Sequence, residues 1–387
     1  MRLTDFCQMS RLYALDLARF IAMLLMIQGH VLDALVAPSA LDITHMPWSI
    51  WSWIRGLTAP VFLTVSGAVH VFAAKRDAEG RIPSSTIERR LRWAVTILVI
   101  GYALVFPGKR IIDLPYVPAS GWHAFFAVNI LQLVGVAMMV FVMVMETTRS
   151  VVEMRRRAAI TVACILLLSP LVHLDAVHSA MPAWLSPYLT MKGGSLFPFF
   201  PVASYLFLGV IVGAHLHAKP AEERDAALVK LAQRVGIPLV VVGYGTLNGF
   251  IAMGVPQTSI DNPDSVLLVV ARFGAALVVF WGAVVLLKAT WRWRSSYILF
   301  GSKSLYIYVI HIVLLFGTPW WDGIGRTKSK TMTLQSGLGI MVLILVSTLV
   351  LAWLIDRYQN AALTDITRQW VRRTLLTLLI VMFAIAW

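Results

Sequence analysis

Long apolar runs recur along the whole chain, and they constrain its fold more than any other feature. Their approximate bounds are 12–36, 48–74, 93–107, 122–146, 158–173, 196–216, 236–254, 266–288, 297–317, 335–356 and 371–387. An apolar helix of about 20 residues is long enough to cross the hydrocarbon core of a bilayer. With 59% hydrophobic and 13% charged residues, the chain has too few charges to cover a soluble globule of 387 residues. We therefore predict an all-α, polytopic integral membrane bundle with about eleven transmembrane helices.

The count and the domain organisation follow from the same pattern. The third and fifth runs are short and the last run ends with the chain, so ten helices and one interfacial segment are the alternative. The first run carries Asp16, Arg19 and His30, which distinguishes it from a cleaved signal peptide. The sequence shows no internal repeat and no flexible linker. Residues 1–387 are therefore predicted to form a single transmembrane domain.

Basic residues are distributed unevenly between alternate loops. If the N-terminus is cytoplasmic, 23 of the 33 lysines and arginines lie in cytoplasmic segments and six lie in the opposite loops. This asymmetry is typical of the positive-inside rule. The net charge of +14 therefore indicates topology and contacts with anionic membrane lipids, and no nucleic-acid partner is expected.

Ionisable residues of the first run share one face of the predicted helix. Successive steps of three or four residues join Asp16, Arg19, Met23, Met26, His30 and Asp33. Arg19 and His30 are eleven residues apart, so their side chains point in similar directions about 16 Å apart along the axis. Buried ionisable groups in a membrane are costly and usually functional. We predict a polar cavity that contains a fixed cation and a titratable imidazole at two depths.

Other polar residues of the apolar runs are predicted to lie in the outer half of the membrane. They are Arg55, His123, Asn129, Asn248, Arg272 and His311. On the cytoplasmic side, Lys303 and Ser304 belong to the segment that begins the ninth helix, where a helix N-terminus and a lysine could hold phosphate. The alternatives are that His123 or His311 only joins helices, that Asp16 and Arg19 form only an ion pair, and that Lys303 extends to the headgroups.

The first helix resembles the opening signature of the transmembrane acyltransferase superfamily, which includes acyltransferase-3 proteins and heparan-alpha-glucosaminide N-acetyltransferase relatives. An arginine, ten residues and a histidine form the superfamily's catalytic pattern, and Arg19 and His30 fit it. Residues 59–67, 196–209 and 301–311 resemble further superfamily segments in the expected order. Phe20 replaces the glycine that commonly follows the arginine, and the short loop after the first helix favours a compact bacterial-type member.

The resemblance implies an acyltransferase of the bacterial inner membrane. It would move an acyl group, acetyl in the simplest case, from cytoplasmic acyl-CoA to a hydroxyl or amine of an extracytoplasmic glycan or glycolipid. His30 would be the general base, Arg19 would orient the donor or stabilise charge on the thioester oxygen, and Asp33 would fix the tautomer of His30. Direct attack and an acyl-histidine intermediate remain open. Acyl-CoA is a co-substrate, and neither a bound cofactor nor a metal is expected.

The remaining candidate residues divide between acceptor and donor. Those predicted to bind the acceptor substrate are Asp16, Arg55, Asn129, Asn248, Arg272 and His311. Those predicted to bind the phosphates of the donor are Lys303, Ser304, Arg89, Arg90 and Arg92.

A transporter or flippase for an anionic lipid or sugar is the alternative function. Its substrate path would include Arg19, Arg55, Arg272, His30 and His311. Transporters commonly contain internal repeats and pairs of interrupted helices, and the sequence indicates neither. The acyltransferase is therefore the preferred hypothesis.

Overall fold

The computed structural model describes residues 11–361 and 365–384, and helices form most of them. The α-helices of eight or more residues are α1 (Tyr13–Leu35), α2 (Trp48–Arg55), α3 (Thr58–Phe72), α4 (Ser84–Leu104), α5 (Ala119–Phe126), α6 (Ile130–Glu146), α7 (Val151–Val172), α8 (Ser204–His217), α9 (Arg224–Leu231), α10 (Ile237–Ala252), α11 (Val266–Ala289), α12 (Arg294–Ser302), α13 (Ser304–Phe316), α14 (Leu334–Asn360) and α15 (Asp365–Ala384). The all-α prediction is confirmed.

Shorter elements connect these helices. The short α-helices are Asp175–Ala180, Ser186–Leu189, Phe199–Val202, Gln257–Ile260 and Ile324–Thr327. Short 3-10 helices lie at Pro38–Ala40, Ile111–Tyr116, Met191–Gly193, Ala221–Glu223 and Trp291–Trp293, and a π-turn at Ala232–Gly236 joins α9 to α10. The strands β1 (Gly317–Thr318) and β2 (Trp321–Asp322) form a two-stranded antiparallel hairpin after α13.

Six helical segments within the described residues are long and apolar enough to cross a membrane. They are Tyr13–Leu35, Trp48–Phe72, Phe199–His217, Ala221–Ala252, Val266–Ala289 and Leu334–Asn360. Two bent helix pairs, α5 with α6 and α12 with α13, raise the number to eight if each pair is one span. The chain is therefore an integral membrane protein, but the predicted count of eleven is not confirmed.

The remaining three predicted runs, 93–107, 158–173 and 371–387, correspond to α4, α7 and α15. Each of these helices has charged residues in its first half. In α4 the charged residues are Glu88, Arg89, Arg90 and Arg92. In α7 a glutamate and three arginines fall within residues 153–157. These charges shorten the uninterrupted apolar stretch below the roughly 20 residues that a full crossing needs. The last predicted run extends to residue 387, and its final three residues lie outside the described part.

Two helices that the sequence predicts to be continuous are broken in the structure. The helix axis turns by 49° between α5 and α6 and by 68° between α12 and α13. The first break includes Asn129, whose backbone is extended, and the second lies at Lys303. At the first break the Val128 N–H donates to Ser195 Oγ at 2.9 Å, so a side chain replaces the missing helical partner. The expectation of uninterrupted helices is therefore wrong at both positions.

The chain divides into two compact units built from non-contiguous segments. Unit 1 contains the described part of Met1–Ala22 together with Trp53–Gly101 and Phe126–Ile298. Unit 2 contains Met23–Ser52, Tyr102–Phe125 and the described part of Leu299–Trp387. Helix α1 contributes residues to both units. The single-domain organisation stays a prediction.

Unit 1 is held together by helices whose backbones approach closely. A Cβ atom on Gly67 of α3 would overlap the Leu206 carbonyl of α8, and one on Gly209 would overlap the Thr64 carbonyl. Small residues allow such contacts in membranes, where dispersion between helices replaces the hydrophobic effect. The packing of α3 against α8 therefore depends on glycine at both positions.

In unit 2, the C-terminal end of α1 is bound by the segment that precedes α14. The N–H groups of Lys330 and Met332 donate to the carbonyls of Ala34 and Leu35, each at 2.9 Å. In return, the Ala37 N–H donates to the Met332 carbonyl at 3.0 Å. Carbonyls in the last turn of a helix have no partner within the helix, so this segment satisfies two of them from outside. The position of the helix end is thereby fixed within unit 2.

Candidate active site

His30 of α1 contacts a second histidine, His311 of α13, within unit 2. The Nδ1 atom of His30 lies 3.0 Å from Nε2 of His311. The two rings are stacked, with centroids 5.3 Å apart and an angle of 21° between their planes. His311 is completely buried and His30 is partly buried. The fold therefore brings together two residues that are 281 positions apart in the sequence.

A backbone carbonyl determines the proton positions in this pair. Nδ1 of His311 lies 2.9 Å from the Ile307 carbonyl oxygen, and a carbonyl can only accept, so this nitrogen donates. In a neutral ring the other nitrogen, Nε2, then carries the lone pair and accepts from Nδ1 of His30. The lone pair of neutral His30 is consequently on its Nε2 atom. The contacts assign to neutral His30 the tautomer that is protonated on Nδ1.

Asp33 was predicted to fix the tautomer of His30, and His311 can perform that role at Nδ1 without a carboxylate. The side chain of Asp33 is exposed, one turn beyond His30. The ring of Tyr308 packs edge-on against His311, with centroids 5.3 Å apart. His311 therefore has a structural connection to His30 in addition to the predicted contact with acceptor. The roles of Asp33 and of His311 toward substrate stay predictions.

Arg19 lies on the same continuous helix as His30, as the spacing predicted, and it is partly buried. Asp16, one turn earlier, is buried, and its Oδ2 atom accepts a hydrogen bond from Arg11 Nε at 2.9 Å. Pairing with an arginine is the usual way in which a membrane protein accommodates a buried carboxylate. A substrate that uses Asp16 would have to share this carboxylate with Arg11.

The predicted donor-phosphate ligands of α4 differ in their surroundings. Arg90 is buried in unit 1, where Nη1 donates to Nδ1 of His70 at 2.8 Å and Nη2 donates to the Ala73 carbonyl at 2.9 Å. These contacts engage its guanidinium in helix packing, and its assignment as a phosphate ligand stays a prediction. Arg89 and Arg92 are exposed, and they stay candidates.

Lys303 is likewise engaged by protein groups in unit 2. Its Nζ atom lies 3.0 Å from Oδ1 of Asp356 and also contacts Oε1 of Gln359. A phosphate at this position would have to displace a carboxylate from a largely buried amine, so the structure favours a role for Lys303 in joining the α12–α13 break to α14. Ser304, the first residue of α13, stays a candidate on sequence grounds.

The remaining predicted substrate ligands, Arg55, Asn129, Asn248 and Arg272, all belong to unit 1. Arg55 ends α2, Asn129 lies at the break before α6, and the side chain of Asn248 is exposed on α10. The guanidinium of Arg272 packs against the backbone of Gly56. A Cβ atom placed on that glycine would lie only 2.9 Å from Nη2 of Arg272. Two aromatic residues of the same region were not predicted from the sequence. They are Tyr244 and Trp53, whose ring centroids lie 6.0 Å apart.

One comparison with known proteins identifies a family. A family model described as heparan-alpha-glucosaminide N-acetyltransferase, catalytic, matches residues 11–253. No curated protein matches the chain. The matched region includes Arg19 and His30 and covers more than half of the chain, and it ends before α11 and α13. The resemblance inferred from the first helix is confirmed: this chain belongs to the heparan-alpha-glucosaminide N-acetyltransferase catalytic family.

Proposed function

We propose that this protein uses acetyl-CoA from the cytoplasm to acetylate a hydroxyl or amine of an extracytoplasmic glycan or glycolipid in a bacterial inner membrane. Family membership supports membrane acetyltransferase activity. The donor, the acceptor and the residue that acts as base are the proposed parts. The observation that carries the proposal is the chain of contacts from the Ile307 carbonyl through His311 to His30.

In the proposed reaction, Nε2 of His30 removes the proton from the acceptor hydroxyl or amine. The acceptor oxygen or nitrogen forms a bond to the acetyl carbon, and the carbon–sulfur bond of the thioester breaks. Coenzyme A leaves as a thiolate and takes up the proton that His30 received. An imidazole suits this exchange because its ordinary pKa near 6.5 allows it to accept and return a proton near neutral pH. A positive His30 would be stabilised by its Nδ1–H bond to His311.

Positive side chains are proposed to position the donor. Arg19 would bind the thioester end of acetyl-CoA or stabilise negative charge on its carbonyl oxygen. Arg89 and Arg92 are exposed on the cytoplasmic end of α4 in the predicted topology, where they would contact the phosphates of the nucleotide. Arg90 and Lys303 are left out of this proposal because their side chains have protein partners.

One structural observation favours the alternative of a transporter. Broken helices near a substrate site are typical of transporters, and two helices are broken within the described residues. Binding of substrate is common to both functions, but only the transferase consumes the thioester. The family match favours the transferase.

The decisive experiment uses the full chain purified in detergent and acetyl-CoA labelled in the acetyl group. We expect release of coenzyme A that depends on an added envelope glycan fraction, with label appearing in the glycan. Glycan-independent hydrolysis at a constant slow rate would support the donor but not the acceptor. Intact acetyl-CoA after incubation with every glycan fraction, together with glycan uptake into proteoliposomes, would contradict the proposal and support a transporter.

A further inference from the structure

Arg272 of α11 is a cation within a membrane-spanning helix, and no carboxylate of the described chain forms an ion pair with it. Its Nε atom is buried and makes no hydrogen bond to the described residues. It follows Val266 by six residues, so it lies about 9 Å along the axis from the start of α11. An arginine at such a depth is expensive unless an anion accompanies it.

The helix packing of unit 1 brings a phenol to the same place. Gly243 of α10 meets Ala271 of α11 so closely that a Cβ on the glycine would lie 2.6 Å from the alanine Cβ. The next residue on each helix is Tyr244 and Arg272, and the two interact electrostatically. The Tyr244 hydroxyl is buried, and among the described residues its side-chain interactions are with Arg272 and Trp53, without a hydrogen bond of good geometry to either. A guanidinium and a hydroxyl donor thus lie side by side, and each retains hydrogen-bonding capacity.

Two further features define the surroundings of this pair. Gly56, in the break between α2 and α3, provides the space that the guanidinium occupies, because a Cβ there would lie 2.9 Å from Nη2. The Trp53 ring lies 6.0 Å from that of Tyr244, and Trp53 is 43% exposed. The nearby carboxylate of Asp261 acts on Tyr244 and accepts a hydrogen bond from Gln257 at 3.2 Å.

We propose that Arg272 and Tyr244 bind a carboxylate or phosphate group of the acceptor, with Trp53 against an adjoining sugar ring. A guanidinium and a hydroxyl donor suit a planar or tetrahedral oxyanion. Aromatic side chains provide an apolar surface for the faces of a sugar ring. The proposal rests on the proposed acetyltransferase function and specifies its substrate class: an anionic glycan or glycolipid.

The test measures binding of defined probes to the full chain purified in detergent. Glucuronate and glucose 1-phosphate are compared calorimetrically with glucose, which lacks the anion. Phosphatidylglycerol is compared with phosphatidylcholine in a second arm, which distinguishes a sugar anion from a lipid headgroup. We expect Arg272→Gln to weaken binding of the anionic probe by about tenfold to a hundredfold, and Arg272→Lys to weaken it less. Neutral probes should be unaffected.

Two glycine variants provide the matched comparison. Gly56→Ala should also weaken anion binding, because the added methyl group displaces the end of the Arg272 side chain without touching its charge. Gly249→Ala on α10 should leave binding unchanged, because a Cβ there meets no atom within 4 Å. Gly56→Ala also keeps the proposal falsifiable if Arg272→Gln fails to fold.

The outcomes separate this site from the proposed function. Anion binding that is the same in wild type, Arg272→Gln and Gly56→Ala would overturn the site, as would an absence of anion binding by the wild type. If binding depends on Arg272 but the wild type never consumes acetyl-CoA, the site stands and the transferase function fails. If acetyl transfer occurs and binding ignores Arg272, only the site fails.

Discussion

His30 in unit 2 and His70 in unit 1 both lie in membrane-spanning helices, but their ring nitrogens contact different partners. Nδ1 of His70 accepts from the guanidinium of Arg90, whereas Nδ1 of His30 meets Nε2 of His311. An arginine always donates, so His70 must accept at Nδ1. A histidine partner has no fixed charge. The Nδ1 lone pair of His70 is thus engaged by Arg90, whereas Nδ1 of His30 meets a ring nitrogen that can accept from it.

The difference shows that burial and residue type do not distinguish the proposed catalytic histidine from the other one. Both side chains are histidines on apolar helices, and both make hydrogen bonds with tertiary partners. The partner determines which ring nitrogen carries the lone pair. The following variants test this distinction.

The largest expected effect is the loss of acetyl transfer on replacing His30, with His70 as the matched control. His30→Ala should reduce acetyl transfer by about a hundredfold to ten-thousandfold, the usual consequence of losing a general base. His70→Asn should retain most turnover, because its amide oxygen can still accept from Arg90. Turnover of labelled acetyl-CoA and acetyl-CoA binding are measured for both. Near-wild-type turnover by His30→Ala would exclude His30 as the base.

Next in size is the effect of the partner of His30. His311→Leu should lower kcat by about tenfold to a hundredfold with little change in the KM for acetyl-CoA, because it leaves His30 free to adopt the wrong tautomer. His311→Gln should restore part of kcat, because its amide oxygen offers an acceptor near the position of Nε2. Tyr308→Phe, which keeps the ring against His311, is the control. A variant that loses folded protein instead of kcat would support a packing role alone.

A stability effect is expected for the partner of His70. Arg90→Leu removes the donor to Nδ1 of His70 and to the Ala73 carbonyl, which should lower the free energy of unfolding by about 1–3 kcal/mol. Arg89→Leu, at the neighbouring exposed position, should leave stability nearly unchanged. Thermal unfolding in detergent and the KM for acetyl-CoA distinguish the two roles. A raised KM for Arg90→Leu at wild-type stability would contradict the packing role and support Arg90 as a donor ligand.

The smallest expected effect is on the pH dependence of stability, and it involves the loop carboxylates of Asp264 and Asp42. Burial raises the pKa of Asp264 in unit 1 above its ordinary value of 3.8, although His173 and hydrogen bonds from Met191 and Thr190 oppose the shift. Hydrogen bonds from Thr44 lower the pKa of Asp42 in unit 2 from 3.8 to about 2.

The two carboxylates should respond oppositely to pH. The folded state binds the Asp264 proton more tightly than the unfolded state, so its contribution to stability is present below pH 3.8 and is lost as pH rises through the higher folded pKa. The contribution of Asp42 is present above pH 3.8 and is lost as pH falls toward 2. Thermal unfolding of Asp264→Asn and Asp42→Asn across this range should show slopes altered in opposite directions. Parallel curves would contradict the assignment.

The local features of the candidate site could be predicted from the sequence, but the tertiary contact between His30 and His311 could not. Spacing placed Arg19 and His30 on one helix, and α1 confirms that helix. The partner of His30 could not be predicted, because no periodicity relates residues 281 positions apart. The breaks near Asn129 and Lys303 were missed for a related reason: hydropathy reports apolar length but not the tertiary hydrogen bonds that stabilise an interrupted helix.

The attachment of the end of α1 to residues 330–332 has a consequence for how the reaction must be organised. Sliding the helix along its axis by one residue would move His30 about 1.5 Å, and it would also break the hydrogen bonds from Lys330, Met332 and Ala37. These contacts hold His30 at a fixed height within unit 2. If His30 is the base, as we propose, thioester and acceptor must be carried to it, so the motions that limit turnover would belong to the substrates and to the segments that admit them.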